Sequence, residues 1–167
     1  MSEFQEFVLG SAFIGIGATI IMDIWALLLW KGFGVPSLNF GMVGRWIGHL
    51  PSGRLVHTNI AEAPPVPGEQ TIGWTAHYAI GVLFAGVLIL IWGLGWTETP
   101  TPLPALIIGL VTLTAPFLIL QPGMGAGIAA SKTPNPNVAR LRSFSAHMSF
   151  GVGLYLAALL FSRLPLS

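Results

Sequence analysis

Four runs of this chain are apolar over nearly the length a helix needs to cross a bilayer, near 7–30, 71–95, 103–121 and 142–162. About 20 such residues span the hydrocarbon core. In lipid every backbone N–H and C=O must be paired inside the segment or around a closed barrel. Barrel strands are short and alternate in character, whereas these runs are continuous. The expected fold is therefore all-α, an integral-membrane four-helix bundle forming one domain over residues 1–167. Composition agrees, with 8% charged residues where a soluble domain carries about a quarter.

The same composition removes several function classes. There is no Cys, so disulfides, iron–sulfur clusters and thiolate chemistry are excluded. A net charge of +1 without a basic stripe gives nucleic acid nothing to bind. The acidic start MSEFQEF and the length of the first run point to a retained span rather than a signal peptide. The partner implied is the lipid bilayer. Lys31, Arg45, Arg54, Lys132, Arg140 and Arg142 fall in or beside the first and third loops, and only Arg163 on the other side. By the positive-inside rule both loops face the cytoplasm and both termini face out.

The spans carry small-residue ridges, the usual device for close helix contact in lipid. Ser11, Gly15, Thr19 and Asp23 recur every fourth residue, as do Glu69, Gly73, His77, Gly81 and Ala85. Left exposed, such ridges would support a homo-oligomer. Trp25, Trp30, Trp74, Trp92 and Trp96 are expected at the membrane interfaces. In the first loop Phe40, Val43, Trp46, Ile47 and Leu50 recur at helical spacing, with Arg45 and His49 on another face. That pattern predicts an amphipathic helix at the interface, followed by a stiff cover, APPVPGEQ. Pro116 should free a carbonyl in the third span, and Asn135–Pro136 should start the fourth helix.

Spans two and four share His-x-x-x-Gly-Val, and spans one and three both end in Gly-x-Gly. The offsets are 70 and 91 residues, and an insert in the first loop would reconcile them. A duplicated two-helix unit is one reading; with 21 Gly in the chain, chance is the other.

Each of three spans holds one ionisable residue, Asp23, His77 or His147. Such residues are costly at membrane depth and usually face the protein interior. Asp23 lies seven residues inside Trp30, roughly 10 Å, and the two His lie at a similar expected depth. Thr114 and Gln121 would join that layer, with Arg140, Arg142 and Lys132 at its mouth. Two His and a carboxylate suit a transition metal, with His77, His147 and Asp23 as ligands. Two opposed His would suit a haem. Asp–His chains also serve proton-coupled movement of a small solute. The cationic mouth would suit a phosphate or lipid headgroup. Against all four stands simple packing, in which the polar groups only hydrogen-bond between helices. His49 and His57 are expected to be exposed or at the rim. No nucleophile elbow, P-loop or dinucleotide fingerprint is present, so no catalytic motif is recognisable.

GIGATIIMDIWALLL, VPSLNFGMVGRWIGH, APPVPGEQ, GWTAHYAIGV, GIAASKTPNP and HMSFGVGLYLA together resemble a family of small bacterial inner-membrane proteins. The resemblance runs over nearly the whole chain. That family is catalogued only as a domain of unknown function, so the resemblance implies a bacterial, four-span protein and brings no activity with it. It also implies that Asp23, His77, Pro134, Asn135, Pro136 and His147 are motif positions.

Overall fold

An acidic first turn and a reciprocal cap between Ser2 and Gln5 start α1 (Glu3–Phe33), and left-handed Gly34 ends it. In the computed structural model, which describes residues 2–165, the chain continues through α2 (Phe40–His49), α3 (Glu69–Trp92), α4 (Gly95–Glu98), α5 (Pro102–Val111), α6 (Gln121–Gly123) and α7 (Pro136–Phe161). No strand occurs among the described residues. Four helical stretches are long and apolar enough to cross a membrane: Glu3–Phe33, Glu69–Trp92, Pro102–Gly123 and Pro136–Phe161. Only 22% to 39% of the most apolar window of each is buried within the protein. So much outward-facing apolar surface has to be covered by lipid.

The third span is broken. Pro116 has no N–H to return to the preceding turn. The helix turns at Thr112 and Leu113 and resumes as a π-helical turn, Pro116–Leu120, before α6. Wider i to i+5 bonding, such as Gln121 N–H to the Pro116 carbonyl, restores the pairing a proline removes.

The residues group into two compact units. One holds the described residues of Met1–Pro36, Tyr78–Thr112 and Ala146–Ser167. Its core is formed by all four spans, with Ile14, Ala85, Leu88, Ile108, Leu154 and Ala158 fully or almost fully buried. Small residues let the backbones meet. A Cβ on Gly15 would lie 2.5 Å from Val82 Cα, and one on Gly153 would lie 2.8 Å from Ala18 Cα. The predicted ridge of α1 is thus turned inward, Ser11 and Thr19 being buried at 5% and 1% exposure. Trp96, beyond the end of the second span, is packed against protein. It lies in this core at 7% exposure, its indole N–H donating to the Thr101 carbonyl at 3.3 Å. A tight turn at Gly93, closed by the Trp96 N–H on the Gly93 carbonyl at 3.2 Å, leads into it.

The other unit comprises Ser37–His77 and Leu113–Ser145. Helix α2 starts at Asn39, whose side chain caps the Gly41 N–H at 3.0 Å. Its buried residues are Gly41, Val43 and Gly44. The packed stripe is therefore built as much from missing side chains as from large ones. Gly44 and Gly73 each press on backbone of the other helix, at Glu69 and Phe40 respectively. Asn39→Ala is expected to cost about 1 kcal/mol, read from unfolding in mixed detergent micelles; an unchanged midpoint would remove the cap from the account.

Candidate functional site

Asp23 sits half-buried on α1 and accepts a hydrogen bond from the Tyr78 hydroxyl on α3 at 2.9 Å. His147, half-buried on α7, lies with Nδ1 2.8 Å from Thr112 Oγ1. The Thr112 hydroxyl itself donates to the Gly109 carbonyl at 2.7 Å. A hydroxyl has one hydrogen. With that hydrogen on Gly109, the His147 Nδ1–H is the donor to Thr112, which fixes the tautomer of a neutral ring.

These four residues belong to the same unit, and the helix register sets their depth. Helices α1 and α7 run antiparallel, with Gly153 against Ala18 and Ala157 against Gly17. Asp23 is five residues along α1 from Ala18, and His147 is six back along α7 from Gly153. At helical rise these steps are about 7.5 and 9 Å, so carboxylate and imidazole share one level. Gly109, pressed to the Gly151 backbone and the His147 carbonyl, brings α5 close enough for Thr112 to reach the ring.

Sequence reasoning missed Tyr78 and passed over Thr112. Tyr78 is one of two tyrosines in the chain and directly follows His77. A hydroxyl one step from an intramembrane imidazole was the available signal. Thr114, preferred to Thr112 on spacing, is exposed and falls in the other unit. Two residues are enough to carry a side chain around the turn that breaks the span.

His77 also lies in the other unit. Its ring packs on Phe40 with centroids 4.3 Å apart and meets Trp74 edge-on at 5.8 Å. Among the described residues, no three His, Cys, Asp or Glu side chains are placed to hold a metal ion.

The remaining expected residues are spread over the second unit. Gln121 donates to Ser143 at 3.1 Å, and its buried carbonyl oxygen has no partner among the described residues. Arg140 is exposed, and its guanidinium bonds the Ala129 carbonyl at 2.8 Å and Asn137 at 3.1 Å, holding the loop before α7. Arg142 is exposed.

Arg45 proves to be a clamp. It makes a two-pronged pair with Glu69, both bonds 2.8 Å, and donates to the Ala61 and Ala63 carbonyls at 3.2 and 3.1 Å. The Glu69 hydrogen bond raises the Arg45 guanidinium above its ordinary value, with partial burial acting against it. His49 reaches the Pro64 carbonyl at 3.0 Å, and Val66 packs on Gly48. The Pro-rich segment is thereby tied to α2. Neither loop histidine is exposed. Both are half-buried, their rings 5.2 Å apart, and His57 Nδ1 donates to the Gly123 carbonyl at 3.3 Å.

Thr112→Val keeps the shape and removes the hydroxyl. It is expected to cost about 0.6–1.7 kcal/mol, the range of hydrogen bonds between membrane helices. Nitrogen chemical shifts of His147 should then show a mixture of tautomers. A single unchanged tautomer would mean that Thr112 does not orient the ring.

Four membrane-length apolar helices, with a paired carboxylate and a paired imidazole set among them, define a multi-pass helical membrane protein. The chain belongs to the family described as "Protein of unknown function (DUF2938)", whose sequence model matches residues 12–161. No curated protein and no solved structure matches the chain.

Proposed function

We propose that this protein is a bacterial inner-membrane four-helix bundle that binds a small cation, the proton included, at the level of Asp23 and His147. Binding would be linked to protonation of the two groups and through it to movement of a solute. Both loops would face the cytoplasm and both termini the outer side, as the Lys and Arg distribution argues. One observation carries the reading. A carboxylate from α1 and an imidazole from α7 lie at one depth, each held by a hydroxyl from a neighbouring helix. Packing alone would be served by neutral hydrogen-bonding side chains, whereas ionisable ones are costly in lipid and usually mark a solute or proton path.

The test is a thermal-stability screen of the purified protein in neutral detergent. The probes are alkali, alkaline-earth and transition-metal chlorides and small amines, each across pH 5.5 to 8.5. A ligand that binds only the folded state at 100 times its Kd stabilises by about 2.7 kcal/mol. The expected result is a cation that stabilises the wild type and fails to stabilise Asp23→Asn and His147→Gln. No stabilising cation anywhere in the screen, or an equal shift in the variants, would sink the proposal.

A further inference from the structure

A cavity of about 600 Å³ lies in the second unit, between the loop segment at His57 and Thr58 and the glycine-rich loop that precedes α7. Its size falls within the usual range for small-molecule sites. Gly127, Ile128, Ser131 and Lys132 line its other side, and no Asp or Glu is among its lining residues.

Two ties hold the walls together. The His57 N–H donates to the Gly123 carbonyl at 2.9 Å and the Ile60 N–H to the Met124 carbonyl at 3.1 Å. The Ser131 and Lys132 side chains fold over Gly127, where a Cβ would lie 2.5 Å from Ser131 Oγ and 2.8 Å from Lys132 Cγ. Gly127 itself has φ +74°, which places the next peptide out of the helical run.

The donors and acceptors of this wall do not balance. Among the described residues, the backbone N–H groups of Gly127 and Ile128, which line the cavity, have no acceptor, although those of Ala126, Ala130, Ser131, Lys132 and Thr133 all have one. His57 Nδ1 donates to a carbonyl, which can only accept, and its buried Nε2 has no partner among the described residues. The wall thus combines unused backbone N–H groups, the hydroxyls of Ser131 and Thr58, and the Lys132 ammonium. Consecutive backbone N–H groups in turns with left-handed residues form anion-binding concavities. Ionic donors such as Lys strengthen the hydrogen bonds to phosphate oxygens.

We propose that this cavity binds a phosphate group carried on a small polar body, with Lys132, Ser131 and the N–H groups of Gly127 and Ile128 on the phosphate oxygens. Two sources share this chemistry, a soluble phosphate ester and an anionic lipid headgroup. The site does not depend on the Asp23–His147 level.

Calorimetric titration of the full chain with sn-glycerol 3-phosphate tests it, in nanodiscs of phosphatidylcholine and again in nanodiscs of phosphatidylglycerol. Saturable binding is expected, at least tenfold weaker in Lys132→Gln and in Ser131→Ala. Arg163→Gln removes the same charge from an exposed site elsewhere and should change nothing. Lys132 and Ser131 are both exposed, so the variants should fold, and their unfolding midpoints check that. Equal affinity in both lipids assigns a soluble ester. Binding suppressed in phosphatidylglycerol assigns the headgroup. Absence of saturable binding in phosphatidylcholine, or wild-type affinity in both site variants, overturns the proposal.

Discussion

Replacing Gly44 by alanine is expected to unseat α2 from α3. The added methyl would run into the Glu69 carbonyl, and Gly73 opposite presses equally hard on the backbone of Phe40. Backbone at a helix crossing cannot move aside as a side-chain tip can. Overpacking costs of about 1–3 kcal/mol are usual where side chains must give way, and this contact should lie at or above the top of that range. The chain has no Cys, so a single cysteine introduced as Ile47→Cys reports α2 alone. Its labelling rate should rise with Gly44→Ala, and the unfolding midpoint in mixed micelles should fall. Gly32→Ala, where nothing lies within 4 Å of the new methyl, should lose no stability. Wild-type stability and labelling for Gly44→Ala would show that the close crossing is absent in solution.

Tyr78→Phe is expected to be the second large effect, because it withdraws a hydroxyl from a carboxylate set in an apolar span. Hydrogen bonds to charged groups contribute about 1.5–3 kcal/mol. Asp23→Asn keeps a hydrogen-bonding oxygen for Tyr78 and should cost less. A cycle with the double variant isolates the pair, and contacting residues couple by about 0.5–3 kcal/mol. If the Asp23 level binds a cation, Tyr78→Phe should also weaken that binding about tenfold, equivalent to about 1.4 kcal/mol. Strict additivity in the cycle would show that the 2.9 Å contact contributes nothing measurable.

Much of the fold was legible because lipid imposes its rules on local sequence. The four apolar runs, the helix at Phe40–His49 and the helix start at Pro136 follow from hydropathy, periodicity and proline chemistry. The ridge of Ser11, Gly15 and Thr19 was legible as a contact face, but packing decided that it turns inward. The break at Pro116 was legible as a freed carbonyl, but its resolution as a π-helical turn was not. Arg45 and His49 were legible as one face of α2. That this face grips Glu69 and the carbonyls of the Pro-rich segment depends on a return of the chain 15 to 24 residues later.

The candidate site divides along the same line. The sequence placed Asp23 and His147 well inside apolar runs of membrane length, since position along a helix is residue count multiplied by helical rise. It could not determine which side chains face them. A span that is apolar nearly all round carries little periodic signal for its own rotation. That rotation was decided by the close seats of Gly15 on Val82, Gly153 on Ala18 and Gly109 on Gly151. Glycine contacts are made by absent side chains, so no pattern of apolar residues announces them. They turn Tyr78 toward Asp23 and Thr112 toward His147.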